Sequence, residues 1–340
     1  MRRAGGKCVK TKGTGPTIND VARKAGVSIA TVSRVLNDSA GVRPDTARCV
    51  SEAMEALGYA HGHMNRSCAR LVIAVLPNLN NPFYSEIILG LQTSAKTHSL
   101  EVLLHAEANV DRHAARLCAL LSMTRACGVI MLSPVGSASV LGSLNAVAPL
   151  VQCAEYHEDS PLPYVGVDDI AAARSATETL LHAGRRRIAL INGPDKYKYA
   201  RHRRQGYEEA LRSAGLEVEP RLMASVTEMG FDSSMSVANQ MLGSSAHPDA
   251  ILAASDMYAA AVVKAAATNG LRIPQDLSLI SFDNTYISQM HHPSVTSVGL
   301  PRFQLGYTAM EVLAERLKGG AAGRPRQFLL KTELVLRDSV

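Results

Sequence analysis

The stretch Thr17–Asn37, TINDVARKAGVSIATVSRVLN, indicates how the N-terminal part of the chain folds. Thr17 is suited to begin a helix, and Asp20 lies three residues further on, near the positive end of that helix. Apolar residues then recur at helical spacing until Gly26, a residue type that commonly ends a helix in the left-handed conformation. Ser28 is suited to begin a second helix. The pattern predicts two short helices joined by a tight turn.

A third helix is predicted from Pro44 to Gly58, because Pro favours the first turn of a helix and Gly favours its end. Its buried face is formed by the apolar residues Ala47, Val50, Met54 and Leu57. Three short helices of this kind are typical of a helix-turn-helix unit. In such a unit the second helix enters the major groove of DNA.

The second helix therefore carries the candidate DNA-reading side chains. Arg34 is suited to a bidentate contact with guanine or to a phosphate contact, and Ile29 and Ala30 are suited to apolar contacts with bases. Thr17, Asn37 and Ser39 are better suited to phosphates. The other candidates on or beside this helix are Ser28, Thr31 and Ser33. A three-helix bundle with a solvated Arg34 is the alternative without DNA binding.

These residues resemble the signature of the lac repressor (LacI/GalR) family of transcription regulators. The resemblance runs through Thr17–Asn37 and continues in Val42-Arg43-Pro44-Asp45-Thr46 and in Ala56-Leu57-Gly58-Tyr59. It implies a repressor that binds double-stranded operator DNA as a homodimer. It also implies a hinge helix after Tyr59 that enters the minor groove and wedges a base step open.

The hinge departs from the family pattern. Residues 66–68 read Arg66-Ser67-Cys68 where the family usually has Arg-Ser-Leu, and Gly62 weakens a helix by about 1 kcal/mol relative to Ala. Met64 is an alternative wedge. The hinge residues that we expect at DNA are Met64, Arg66 and Cys68.

The charge distribution supports a polyanionic partner for the N-terminal segment. Residues 1–70 carry a net charge of +7, whereas residues 71–340 carry −1. The first 16 residues are basic but lack the apolar run of a secretory signal, so we expect a disordered cytoplasmic arm. The six cysteines lack the spacing of metal ligands, and no membrane span is expected.

From Leu71 onward, apolar strands alternate with amphipathic helices, which is typical of parallel sheets covered on both faces. Two such series predict two Rossmann-like lobes. The predicted fold class is α/β, with an N-terminal helix-turn-helix domain and a two-lobed, periplasmic-binding-protein-like sensor domain. The predicted divisions are an arm (1–16), a DNA-binding domain (17–60), a hinge (61–70), lobe one (71–168 and 301–326) and lobe two (169–300 and 327–340).

Ligands of such folds bind at the carboxyl ends of the strands. The body resembles the sensor domain of the same family, in which an aromatic first loop, an arginine and a far-wall acidic residue contact a small effector. Phe83, Arg203 and Asp283 match these positions, and Asp256 could equally cap a helix. The full set of candidate effector-binding residues is Phe83, Tyr84, Asp168, Tyr197, Tyr199, Arg203, Phe231, Ser255, Asp256 and Asp283. These residue types suit a sugar or a nucleoside.

Other classes of function fit less well. The chain has no GxGxxG after a strand, no GxxxxGK[ST] and no GxSxG, so we expect neither an enzyme nor a bound cofactor or metal. A sugar-binding component of a transporter would explain the body but not the helix-turn-helix signature. We therefore expect a repressor whose DNA affinity depends on an effector between the two lobes. The apolar residues Ile87, Ile88 and Leu91 are expected at a dimer interface.

Overall fold

The computed structural model describes residues 17–36, 42–57, 70–227, 230–244, 247–319 and 327–340. The described chain forms two compact units, one up to residue 57 and one from residue 70 onward. The first unit is here called the head and the second the body. The predictions for Asn37, Ser39, Met64, Arg66 and Cys68 lie outside the described residues.

The described residues of the head form three helices: α1 (Ile18–Ala25), α2 (Ile29–Leu36) and α3 (Pro44–Leu57). The carboxylate of Asp20 accepts hydrogen bonds from the backbone N–H (2.9 Å) and the hydroxyl (2.7 Å) of Thr17, which fixes the start of α1. Gly26 ends α1 with a φ of 66°, a left-handed conformation that strains other residues. The fully buried Val21, Val32 and Val50, one from each helix, form the centre of the core.

The body has two six-stranded sheets. The first sheet has the order β11-β5-β4-β3-β1-β2 and is parallel throughout. Its strands are β1 (Arg70–Leu76), β2 (Leu100–Ala106), β3 (Gly128–Met131), β4 (Leu150–Cys153), β5 (Tyr164–Val167) and β11 (Gln327–Leu330). The second sheet has the order β12-β10-β9-β8-β6-β7. Its strands are β6 (Ile188–Asn192), β7 (Met223–Ser225), β8 (Ala250–Ala253), β9 (Ser278–Asp283), β10 (Thr296–Gly299) and β12 (Glu333–Val335).

Helices cover both sheets. They are α4 (Phe83–Thr97), α5 (Val110–Thr124), α6 (Ala138–Val147), α7 (Asp169–His182), α8 (Lys198–Ser213), α9 (Phe231–Leu242), α10 (Asp256–Thr268), α11 (Tyr286–Met290) and α12 (Arg302–Leu317). The first sheet with α4, α5, α6 and α12 is here called lobe one, and the second sheet with α7 to α11 is lobe two. The strands in the middle of each sheet are buried on both faces, which explains their continuous apolar sequences.

Helices α4 and α12 pack in close contact. A Cβ atom added at Gly90 or Gly306 would collide with backbone of the opposite helix, so both positions require glycine. Ile87 and Leu91 are fully buried in the same core, whereas Leu89 is half exposed. The sequence predicted Ile87 and Leu91 at a dimer interface. The structure instead buries both side chains within the chain, where α12 packs on α4.

The last segment of the chain, residues 327–340, which the sequence assigned to lobe two, is divided between the two lobes. The structure has two short strands there, β11 in the first sheet, parallel to β5, and β12 in the second sheet, antiparallel to β10. Lys331 and Thr332 form the connection between them. The end of the chain thus passes from one lobe to the other. Among the described residues, no helix is long and apolar enough to cross a membrane.

Candidate functional site

The surface of the head that the sequence assigned to DNA lies on α2. Ser28, Ile29, Ala30 and Arg34 are exposed, and Ile29 keeps half of its surface accessible. Exposure of an isoleucine at the start of a helix leaves an apolar surface free for a partner. The opposite side of α2 carries the buried Val32.

The remaining candidates on α2 are less accessible. Thr31 and Ser33 are half-buried. The Ser28 hydroxyl accepts the backbone N–H of Thr31 (3.1 Å) and lies 2.8 Å from its hydroxyl, so these two residues fix the first turn of α2. Exposed Ser28, Ile29, Ala30 and Arg34 therefore form the surface that α2 offers to a partner.

In the body, one cavity lies between the two lobes at the carboxyl ends of their strands. It is here called the effector cavity, and its empty volume is about 560 Å³, counting space open to solvent. It is lined by Asn81, Phe83, Tyr84, Leu132, Ala154, Glu155, Val167, Asp169, Tyr197, Tyr199, Arg203, Ala254, Ser255, Asp283, Leu300 and Leu305.

Seven of the ten residues predicted at the effector site line this cavity. They are Phe83, Tyr84, Tyr197, Tyr199, Arg203, Ser255 and Asp283. The aromatic rings of Phe83 and Tyr84 lie edge to face, with centroids 5.2 Å apart. Since both rings come from the loop after β1 and the start of α4, lobe one supplies one aromatic wall.

Arg203 is held in a fixed position in the cavity wall. Its Nε donates to Asp169 (2.9 Å) and one terminal nitrogen donates to the carbonyl of Ala254 (2.7 Å). Its guanidinium carbon lies 3.9 Å from the ring centre of Phe282, and its side chain is 5% exposed. A guanidinium has five N–H donors, so three remain for a ligand.

Asp169 organises the charges around Arg203. Its second oxygen accepts from the buried Lys198 ammonium at 2.6 Å. Burial alone raises the pKa of Asp169, but Lys198 and Arg203 together outweigh it and hold that pKa below its ordinary value. Asp169 therefore remains ionised between two cations.

Asp283 differs, because the donor described for its carboxyl is a backbone N–H, that of Asp256, and not a cationic side chain. Burial raises its pKa to about 7, although Arg203 opposes that change. Its φ of 101° places it in a backbone conformation that is uncommon for a residue with a side chain. A carboxylate has two oxygens and can accept more than this one N–H, so Asp283 is suited to bind a hydroxyl or amine of a ligand.

Glu155 connects the two lobes. It follows β4 of lobe one, and its carboxylate accepts the backbone N–H groups of Lys198 (2.8 Å) and Tyr199 (3.2 Å) at the start of α8 in lobe two. Burial raises the pKa of Glu155, opposed by Lys198. A carboxylate at a helix N-terminus is stabilised by the helix dipole. This contact therefore holds the lobes together beside the cavity.

The structure separates three predicted residues from the effector cavity. Asp168 is exposed and caps α7 by accepting the N–H of Ala171 (2.9 Å). Asp256 is buried in a network in which Ser281, Thr285 and Ser297 donate to its carboxylate. Phe231 begins α9, half-buried beside Lys264. Asp168 and Asp256 therefore have structural roles there.

Sequence reasoning missed Glu155 and Asp169 as lining residues. β4 ends at Cys153, so Glu155 lies just beyond it, at the carboxyl end where ligands bind. Asp169 was next to the predicted Asp168. The described part of the chain contains no group of three or more His, Cys, Asp or Glu side chains placed to hold a metal ion.

Comparisons with known proteins match both units. The model for bacterial regulatory proteins of the lacI family matches residues 17–61, and that for the periplasmic binding protein-like domain matches residues 177–340. The HTH-type transcriptional repressor CytR of Escherichia coli (strain K12) is 31% identical over 335 residues, covering 97% of this chain and 98% of CytR.

Solved structures agree over nearly the whole chain. The transcriptional regulator CelR–cellobiose complex has a TM-score of 0.73 at 30% identity, covering 96% of this chain and 100% of that one. The lac repressor dimer bound to operator and the anti-inducer ONPF has a TM-score of 0.75 at 25% identity, covering 96% and 99%. The head and the body are thus each similar to units of known regulators.

Proposed function

The chain belongs to the lacI family of bacterial regulatory proteins and is a DNA-binding transcription regulator, and we propose that it represses transcription under the control of a small ligand in the effector cavity. The observation that carries the ligand-dependent part is the position of Arg203 and Asp283: lobe two places both in the wall of one cavity that aromatic side chains also line. A sugar-binding component of a transporter does not require a DNA-binding head.

The proposed DNA contact uses α2. Arg34 reads a guanine or holds a phosphate, and Ile29 and Ala30 make apolar contacts with base edges in the major groove. The other proposed contacts are Thr17, Ser28, Thr31, Ser33, Asn37, Met64, Arg66 and Cys68. The net charge of +7 in residues 1–70 supplies the general attraction to phosphates.

The proposed effector is a sugar or a nucleoside. A guanidinium matches vicinal hydroxyls with parallel N–H donors, and the Asp283 carboxylate can accept a further hydroxyl or an amine of the same ligand. Phe83 and Tyr84 offer faces and edges for an apolar sugar face or a base. The CelR structure holds a sugar, cellobiose. The presence of both a donor and an acceptor opposite aromatic rings supports this class.

The proposed mechanism is a population shift between arrangements of the two lobes. Glu155 of lobe one caps α8 of lobe two next to the cavity, so a ligand that contacts Arg203 and Asp283 acts where the lobes already meet. A ligand that prefers one arrangement raises its population and thereby changes DNA affinity. We propose that the regulator works in the cytoplasm as a homodimer without catalytic activity, like the operator-bound dimer of the lac repressor.

Selection from random DNA duplexes tests the DNA part. We expect the full chain to enrich one palindromic sequence that it protects as two half-sites at physiological salt, and sedimentation to show a dimer. Binding that is equally strong on every duplex and vanishes at physiological salt would contradict the proposal, since that behaviour is typical of non-specific phosphate contacts.

A further inference from the structure

A set of contacts joins lobe one to lobe two beside the effector cavity. It is here called the seam, and it is formed by residues 155–158, which follow β4 of lobe one, and by the first two turns of α8 of lobe two. Glu155 accepts backbone N–H groups at the start of α8, as described above. The Lys198 ammonium lies 4.4 Å from the ring centre of Tyr156, a cation–π contact across the same boundary.

The seam also contains a histidine that faces a carboxylate of the other lobe. Nε2 of His202 on α8 lies 3.0 Å from Oε1 of Glu158. The side chain of His202 is 13% exposed, whereas that of Glu158 is 59% exposed. Because a carboxylate accepts hydrogen bonds, Nε2 donates here. A neutral imidazole makes this bond as a neutral donor, and a protonated imidazole makes it as half of an ion pair.

Three charged groups influence the protonation of His202. Burial and Lys198, one turn earlier on α8, hold the pKa of His202 below its ordinary value. Glu158 and Asp169, at the start of α7, oppose that change. Lys198 and Asp169 belong to lobe two and stay beside His202 when the lobes separate. Of these three groups, Glu158 is therefore the one that separation of the lobes removes.

We propose that His202 and Glu158 form a pH-dependent clasp between the two lobes, which stabilises the joined arrangement of the seam most when His202 is protonated. The clasp lies outside the effector cavity, so it changes the balance between arrangements of the lobes without contacting a ligand. This inference rests on the proposed population shift and adds acidity as a second input to it.

The sign of the effect follows from the position of Glu158. Because Glu158 raises the pKa of His202 only while the seam is joined, its contribution to the joined arrangement is complete when His202 is protonated. That contribution is lost as the pH rises and His202 becomes neutral. The clasp should therefore be stronger in acid than at pH 8.

Hydrogen exchange at the start of α8 measures the seam without any ligand. The backbone N–H groups of Lys198 and Tyr199 lie in the first turn of a helix, where the helix itself offers no acceptor, and both donate to Glu155 of lobe one. They lose this acceptor when the lobes separate, so their protection reports the population of the joined arrangement. Mass spectrometry of the exchanging full chain at pH 5.5 and pH 8 provides the measurement.

Glu158→Gln tests the clasp, because glutamine keeps an acceptor for the His202 N–H but removes the charge. We compare the protection of the two N–H groups in the unmodified chain with that in the variant at the same pH. We expect this ratio to be at least about twofold larger at pH 5.5 than at pH 8, an effect of the size of exposed ion pairs. Asp159→Asn, also exposed and next to Glu158, is the matched control and should show no such increase.

His202→Gln provides the reciprocal test, because glutamine keeps a donor for Glu158 but does not titrate. The ratio for this variant should show the same increase toward pH 5.5. Combining it with Glu158→Gln should add no further increase, since each change removes the same interaction. Ratios for Glu158→Gln that do not change with pH overturn the inference, as does an equal change in Asp159→Asn.

Operator titrations of the unmodified chain and Glu158→Gln at the same two pH values separate this inference from the proposed function. If exchange shows the clasp but the ratio of the two operator Kd values is the same at both pH values, the clasp stands and the proposed coupling of lobe arrangement to DNA is wrong. If both ratios are independent of pH, the clasp is wrong and the proposed control by a ligand stands.

Discussion

The head and the body each place an arginine at their candidate binding surface, but in opposite environments. Arg34 is exposed on α2, where its side chain is free to follow a DNA partner. Arg203 is buried, donates to Asp169 and Ala254, and stacks on Phe282. The candidate binding arginine of the head therefore lies on the surface, whereas that of the body is buried and held by hydrogen bonds.

Because of this difference, substitutions in the head and in the body should affect stability differently. Removing an exposed side chain leaves the fold of the head intact and affects only its partner. Removing a buried charge in the body leaves its partners uncompensated and lowers stability. Function and stability should thus be separable in the head and coupled in the body.

The largest effect is expected for Asp169→Asn, which leaves Lys198 and Arg203 buried without their shared carboxylate. The free energy of unfolding of the body should fall by about 3–5 kcal/mol. Urea denaturation followed by circular dichroism measures it. Asp168→Asn is the control, because asparagine caps a helix as well as aspartate does. Equal stability of the two variants would show that the buried pairs contribute nothing.

Asp283 should make the stability of the body depend on pH. Because burial raises its pKa to about 7, the folded protein binds more protons than the unfolded chain between pH 4 and pH 7. The contribution of Asp283 to stability is therefore complete below pH 4 and is lost as the pH rises through 7.

Asp283→Asn should accordingly gain stability relative to the unmodified chain as the pH rises from 4 to 7. At about 1.4 kcal/mol per pH unit the gain is at most about 4 kcal/mol. Denaturation at a series of pH values measures it, with Asp232→Asn on the exposed side of α9 as the control. A difference between Asp283→Asn and the unmodified chain that is constant with pH would contradict a raised pKa.

In the head, Arg34→Ala should weaken binding to the selected operator by about 10- to 100-fold, equivalent to roughly 1–3 kcal/mol for a bidentate base contact. Thermal unfolding should be unchanged, because Arg34 is exposed. Arg48→Ala on α3, also exposed, is the control for loss of one positive charge. A comparable loss in both variants would mean that Arg34 contributes only general attraction to phosphates.

The smallest expected effects come from two glycines with open space around them. Gly26→Ala should destabilise the head by about 1 kcal/mol, because its φ of 66° strains any residue with a Cβ atom. Gly142→Ala within α6 should stabilise the body by about 0.5–1 kcal/mol, since alanine favours helix. Urea denaturation of each variant measures the change in its free energy of unfolding. Changes of the same sign in the two variants would contradict this account.

Much of the fold was predictable because each element has a local signal. Gly26 and Pro44 marked the helix boundaries of the head, and the apolar strands of the body followed from their burial on both faces. The end of the chain was not predictable in this way. Residues 327–339 form strands of two different sheets, and the two strands are separated only by Lys331 and Thr332, which carry no strong turn signal.

The sequence predicted which loops line the effector cavity, but it did not predict every side chain that lines it. The sequence identified Arg203 and Asp283 through their position after strands. It could not distinguish Asp168 from Asp169, because only the capping geometry of α7 decides which carboxylate points into the cavity. Glu155 required the end of β4 to be known within two or three residues, which is the usual uncertainty of such boundaries.

The proposed coupling between the effector cavity and the head is tested most directly by one titration, in which the full chain binds its selected operator with and without a saturating sugar or nucleoside. We predict that the ligand changes the operator Kd by at least about fivefold, and that Asp283→Asn keeps the Kd without ligand but loses the change. An operator Kd that no ligand alters, or a ligand effect that survives unchanged in Asp283→Asn, would contradict the account.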